Sequence, residues 1–154
     1  MPTFTSFDGK ELNTDCIGCS LKDEPLYQTD SFEVRQDFET PIPGFLIISS
    51  KKHIKGIEDL SEEERIEFIE LLYKARKALT TALNIEYVYI IQKEDTIVER
   101  SHFHFWLFPR YKWMDRFGGK IASVTEIIEY ARENMKDKVK EVKAAEKKIK
   151  EAFE

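Results

Sequence analysis

With 154 residues, 42% of them hydrophobic, the chain is long enough for one domain with a real core and too short for two comfortable ones. Its formal charge of -5 and pI near 5.4 disfavour non-specific binding to nucleic acid, so any phosphate ligand must be held locally. No apolar run approaches the roughly 18 residues of a membrane helix, and MPTFTSFDGKELN lacks the charged start and apolar stretch of a secretory signal, so a cytoplasmic protein is expected.

In chain order the first chemical feature is the pair Cys16 and Cys19. In a reducing compartment this CxxC spacing reads as thiols or metal ligands rather than a disulfide, and two small buried thiols are an equal alternative. Segments 31–36 (SFEVRQ) and 44–50 (GFLIISS) are short and rich in β-branched and aromatic residues, as strands are. Ser61 with Glu64 three residues on forms a capping box. It opens SEEERIEFIELLYKARKALTTAL, where Phe68, Leu72, Ala75, Leu79 and Ala82 recur at three- and four-residue steps along one helical face. Segments 87–92 (YVYIIQ) and 102–108 (HFHFWLF) are two further strands. Ser123 and Glu126 repeat the capping device and predict a helix from near Val124; Met135, Val139, Val142, Ile149 and Phe153 carry helical structure onward. The last segment, MKDKVKEVKAAEKKIKEAFE, has seven lysines against five acids, a net of +2, and reads as a helix with a solvated lysine face. The expected fold is α+β, with a largely antiparallel sheet, one long amphipathic helix and additional C-terminal helices. Residues 1–154 are expected to form a single domain with a helical extension from about 123.

Strand side chains alternate, so His102, His104, Trp106 and Phe108 share one face of HFHFWLF, and Phe103, Phe105 and Leu107 share the other, the core side. By themselves two strand histidines are most simply partly exposed pairing residues. The chain holds one more histidine, His53 in SSKKHIKGIEDL, so two cysteines and three histidines are its whole inventory of soft ligands. Structural zinc takes four N or S ligands in a tetrahedron, and two of the histidines can complete what Cys16 and Cys19 begin.

From about Asp15 to Tyr111 these pieces resemble the histidine-triad (HIT) superfamily of nucleotide hydrolases and transferases. The CIGC turn, PIPGFLIISSKKHIKGIEDL, the long helix and SHFHFWLFPRY stand in the family's order. Its signature is His-x-His-x-His-x-x with apolar residues between, often followed by Pro-Arg. The resemblance implies that His104, the middle signature position, attacks the α-phosphorus of a nucleotide and forms a nucleotidyl-imidazole that water or another acceptor then releases. Covalent catalysis of this kind divides one hard displacement into two easier ones. Dinucleoside polyphosphates or nucleoside phosphoramidates are the implied substrates. By likeness to zinc-containing bacterial members, Cys16, Cys19, His53 and His102 would hold a structural zinc, and the chemistry needs no catalytic metal. The resemblance also places Asp37 at the ribose hydroxyls and Gln92 near a phosphate, and it implies a homodimer. Ser101 can offer its hydroxyl or N–H to a phosphate oxygen, whereas Arg110 reads as a surface arginine.

The sequence departs from the signature in two places. Trp106 replaces the third histidine, and an indole N–H donates a hydrogen bond without usefully transferring a proton. TIVERS replaces the family's phosphate loop, and Glu99 within it would add negative charge near the phosphates. A catalytically weak nucleotide-binding protein is therefore the alternative to an enzyme. The stretch Arg110, Tyr111, Lys112, Trp113, Arg116 and Phe117 interleaves cations with aromatics, as oligonucleotide binding does, though a dimer or domain contact uses the same residues.

Overall fold

The computed structural model describes residues 1–94 and 101–154. A small hairpin, β1 (Thr3–Thr5) with β2 (Glu11–Asn13), leads into a single turn of helix, α1 (Ile17–Ser20). The main sheet contains β3 (Tyr27–Gln28), β4 (Phe32–Gln36), β5 (Leu46–Ser50), β6 (Val88–Gln92) and β7 (His104–Pro109). Its order is β3-β4-β5-β7-β6 and every pairing is antiparallel. Thus β7, the last strand in the chain, lies between β5 and β6. Three helices complete the fold: α2 (Glu62–Leu83), α3 (Ser123–Asn134) and α4 (Val139–Ala152). This is the expected α+β architecture. None of the described helices is long and apolar enough to cross a membrane.

Alternation along the strands gives each sheet face its own core. Phe32, Val34, Leu46, Ile48, Phe103 and Leu107 meet Phe68, Leu71, Ala75 and Leu79 of α2, and α4 adds Ala145 and Ile149. On the opposite face Phe45 and Phe108 meet Met114 and the α3 residues Val124, Ile127, Ile128 and Ala131. Full burial of each large side chain contributes roughly 1.5–3 kcal/mol relative to exposure. Helix α3 therefore covers part of the sheet face that also carries His104 and Trp106. Gly44, which opens the approach to β5, has φ +78°, and a Cβ there would stand 2.7 Å from Leu83 Cδ1. The positive φ favours glycine there, and a Cβ would also make the Leu83 side chain shift.

The differences from expectation have local causes. Strands begin one or two residues later than their apolar composition suggests; the last runs from His104 to Pro109, so His102 stands just ahead of it. The short strands β1, β2 and β3 lack enough residues to show a period. On α2 the buried face is Phe68, Leu71, Ala75, Ala78 and Leu79, while Leu72 and Ala82 lie at its margins. The capping box at Ser61 and Glu64 forms as expected, with both reciprocal hydrogen bonds. The one expected at Ser123 does not. Ser123 is already the first helical residue, and its hydroxyl donates to the carbonyls of Lys120 and Gly118 instead of accepting from the helix.

Candidate functional site

Cys16, Cys19, His53 and His102 converge at one end of the sheet, their four ligand atoms all within 4.8 Å of one another. The α1 turn presents both sulfurs, the loop after β5 presents His53, and the segment ahead of β7 presents His102. Distances from Sγ to Nδ1 are 3.4 and 3.0 Å for His53 and 3.3 and 3.4 Å for His102. Zinc–sulfur bonds of about 2.3 Å and zinc–nitrogen bonds of about 2.0 Å imply roughly 3.3–3.8 Å between tetrahedral ligands. The four sulfur–nitrogen distances lie in or within a few tenths of an ångström of that range.

The His102 ring is buried, and its Nε2 lies 2.6 Å from the carbonyl oxygen of Ser50. That carbonyl accepts a proton on Nε2, which leaves the Nδ1 lone pair directed at the cysteines, the arrangement by which metal-binding histidines are oriented. Burial, ahead of every other influence, pushes His102 below the ordinary imidazole value and favours the same neutral form. Gly18 makes the close approach of the CIGC turn feasible. A Cβ at this position would lie 2.8–2.9 Å from three atoms of the His102 ring.

His104 begins β7, half-buried, opposite Ser49. Its Nδ1 stands 2.6 Å from the His102 carbonyl. Here too a backbone acceptor fixes the tautomer: the proton sits on Nδ1 and the lone pair on Nε2. The register sets Trp106 between Ile47 on β5 and Ile91 on β6, on the His104 face. The indole lies 6.5 Å from the His104 ring, centroid to centroid, and meets Phe45 edge-on at 5.5 Å.

The remaining sequence-predicted residues are dispersed. Asp37 follows β4 and, by alternation, belongs to the His104 face. One carboxylate oxygen accepts from the backbone N–H of Thr40 at 3.0 Å and stands 3.9 Å from Arg132 of α3. Burial raises the Asp37 carboxyl above the usual range, against the lowering effects of Thr40 and Arg132. Gln92 stands opposite Phe105, on the α2 face rather than the His104 face. Its Nε2 is buried and meets no hydrogen-bond partner among the described residues. Ser101 is buried immediately ahead of His102. Arg110 is not a surface residue: its side chain is 13% exposed, lies over the Tyr89 ring, and donates to the Gly118 carbonyl and Asp115. In the cation-rich aromatic stretch Trp113 and Phe117 pack against Tyr130 of α3, Lys112 and Arg116 are exposed, and the Arg116 guanidinium lies 4.4 Å over the Tyr130 ring. Glu99 and residues 96–100 of TIVERS lie outside the described residues.

Sequence reasoning missed three participants. Gly18 was visible in CIGC, but its closeness to His102 depends on residues 84 positions apart meeting. The Ser50 carbonyl is backbone and has no sequence signal. Arg132 reaches the 37–40 turn from a helix 92 residues beyond Thr40.

A five-stranded antiparallel sheet, backed by a long helix and carrying its histidine strand between neighbours, defines a histidine-triad-like α+β protein. Residues 20–113 match the HIT domain family, and the chain belongs to that family. The matched region includes Asp37, His53, His102, His104 and Trp106 and begins just after Cys19. Similar solved structures include a Hit-like protein involved in cell-cycle regulation from Bartonella henselae, with TM-score 0.57 and 22% identity, covering 86% of this chain and 88% of that one. A zinc-bound histidine triad family protein from Mycobacterium smegmatis gives TM-score 0.57 and 14% identity over 83% and 81% of the two chains. A hypothetical histidine triad nucleotide-binding protein from Sulfolobus tokodaii gives TM-score 0.63 and 16% identity over 90% and 91%. At these identities the likeness shows a shared fold. No curated protein matches the chain.

Proposed function

We propose that the chain is a nucleotide hydrolase or nucleotidyl transferase that works at an α-phosphorus through His104. The observation that carries this reading is the hydrogen bond from His104 Nδ1 to the His102 carbonyl, which assigns the lone pair to Nε2. That lone pair attacks phosphorus, the bond to the leaving group breaks, and a nucleotidyl-imidazole forms. The Nδ1–H bond to the carbonyl disperses the positive charge gained by the ring. Water or another acceptor then attacks the same phosphorus, and the P–N electron pair returns to Nε2. Asp37 is offered to the ribose hydroxyls with the oxygen that Thr40 leaves free, and Ser101 to a phosphate oxygen. The register of Gln92 argues against the phosphate role expected of it. Trp106 lines the leaving-group side.

Cys16, Cys19, His53 and His102 would hold zinc, whose part is structural because four protein ligands fill a tetrahedron. We further take residues 1–154 as one domain, since α4 packs into the α2 core, and a second copy of the chain as its partner. Exposed Ile66, Ile69 and Tyr73 on α2, with Tyr87 and Ile90 at the β6 edge, supply the apolar surface for such pairing.

Turnover of an α-labelled panel of dinucleoside polyphosphates and an adenosine phosphoramidate tests the central claim. Wild-type protein is expected to turn over at least one and to give a labelled, acid-labile His104 adduct. His104→Ala is expected to lose at least about 10³-fold, the order expected when a covalent nucleophile is removed. Nucleotide binding without turnover by wild type would favour a binding protein, with Trp106 as the cause.

A further inference from the structure

The family match ends at residue 113, yet a helix beyond it reaches back to the turn that follows β4. Arg132, in the last turn of α3, donates through Nε to the Thr40 hydroxyl at 3.0 Å. One of its terminal nitrogens lies 3.9 Å from Asp37 Oδ2 and 3.7 Å from Glu39 Oε1. Thr40 is fully buried, and its backbone N–H donates to the same Asp37 oxygen at 3.0 Å. A guanidinium and a backbone N–H from different elements therefore converge on one oxygen of a single carboxylate. From within, the buried Gln36 holds the same turn: its Nε2 donates to the Ile42 carbonyl at 2.8 Å, and its Oε1 accepts from the Gly44 N–H at 3.1 Å. The Asp37 N–H donates to the Phe45 carbonyl at 2.8 Å, and the Phe45 ring meets Trp106 edge-on, which ties this turn to the His104 face. Helix α3 is itself fixed by Val124, Ile127, Ile128 and Ala131, so a packed element delivers the guanidinium.

We infer that Arg132 is the positioning residue for ribose recognition, tying back one Asp37 oxygen together with Thr40 so that the other is presented to the 2′- and 3′-hydroxyls of a nucleotide. This rests on the reading of Asp37 as the ribose ligand. An ionised carboxylate accepts from two vicinal hydroxyls, whereas a protonated one gives up acceptor capacity. Burial pushes Asp37 toward the protonated form, and Thr40 and Arg132 oppose it. Among the described residues the charged groups beside Asp37 are Arg132 from α3 and Glu39 from its own turn. Glu39 adds negative charge, so the guanidinium is the cation that keeps the acceptor charged. Its reach to Thr40 also fixes the turn from which the carboxylate projects.

The test is equilibrium binding of ribonucleoside 5′-monophosphates and their 2′-deoxy counterparts to the full chain, from about pH 5 to about pH 8, the span in which a raised carboxyl titrates. Binding requires no turnover, so the result does not depend on His104. Wild type is expected to favour the ribonucleotide by at least about tenfold, the order that one hydrogen bond to a charged group supplies. That preference should be full above the Asp37 transition and be lost as pH falls through it. Arg132→Gln should shrink the preference severalfold and move its loss to higher pH, with a much smaller effect on the 2′-deoxynucleotide; a merely structural role would weaken both nucleotides together. Arg132→Lys, which keeps the charge without the Nε donor, should recover the wild-type pH midpoint and only part of the preference. Asp37→Asn should abolish the preference and its pH dependence. If it does so while Arg132→Gln matches wild type in both, the inference fails and the ribose reading stands. Full preference in Arg132→Lys would likewise overturn the inference, and that variant decides the matter if Arg132→Gln does not fold. A preference that survives Asp37→Asn, or a wild type that ignores the 2′-hydroxyl or binds no nucleotide, would remove the ribose reading and this inference with it.

Discussion

His102 acts through three groups at once. Its Nδ1 faces the two cysteines, its Nε2–H is held by Ser50, and its backbone carbonyl holds the His104 proton. The Cys2His2 cluster and the proposed nucleophile are thus joined by one residue's backbone, so a disturbance of the first is expected to reach the second through a single peptide unit. Gly18 tests this coupling from the far side. Gly18→Ala inserts a methyl 2.8–2.9 Å from the His102 ring, and the turn or the ring must move. Wild-type protein purified without added zinc is expected to contain about one zinc per chain, and Gly18→Ala to bind it at least about tenfold more weakly. Metal content and chelator competition measure both. Retention equal to wild type would show that the CIGC turn tolerates the methyl without loss of the clip.

At the scale of elements, the legible parts of the fold are those whose signals are local. Ser61 and Glu64 announced α2 because both partners of the cap lie within four residues, and the alternation in HFHFWLF gave the faces of its strand directly. Ser61→Ala should therefore cost about 1 kcal/mol of stability, read from urea unfolding, with little change in the unfolding slope. A cost near zero would mean that neighbouring α2 contacts hold the first turn unaided. The same reasoning failed at Ser123, where Gly118 and Lys120 offered its hydroxyl acceptors that no spacing rule anticipates. Of the candidate site, the histidines and cysteines were legible because few residue types can do their chemistry. The face that Gln92 takes depends on the strand register, which emerges only from pairing with β7. The contacts of Arg132 with Asp37 and Thr40 are tertiary and leave no trace in local sequence.

For the molecule as a whole, the outer face of α2 deserves a direct test. Ile66, Ile69 and Tyr73 are 60%, 59% and 63% exposed and recur at helical spacing, opposite the residues buried against the sheet. Sedimentation at micromolar concentration should show a dimer, and Ile69→Glu should shift it to a monomer without unfolding the chain, since the side chain takes no part in the core. A wild-type monomer would remove the second copy from the proposal.

The position of β7 has a consequence for biogenesis. Strands β5 and β6 do not pair with each other; each waits for β7 between them. On the ribosome the first 92 residues therefore emerge with a three-stranded partial sheet, β3-β4-β5, and a lone strand, β6, each with an open hydrogen-bonding edge. Only when His104–Pro109 clears the exit tunnel can the two be bridged, and only then can His102 meet the cysteines some 86 residues upstream. The strand that carries His104 is thus also the one whose arrival completes the sheet, and a nascent chain stalled before it would present a template for aggregation.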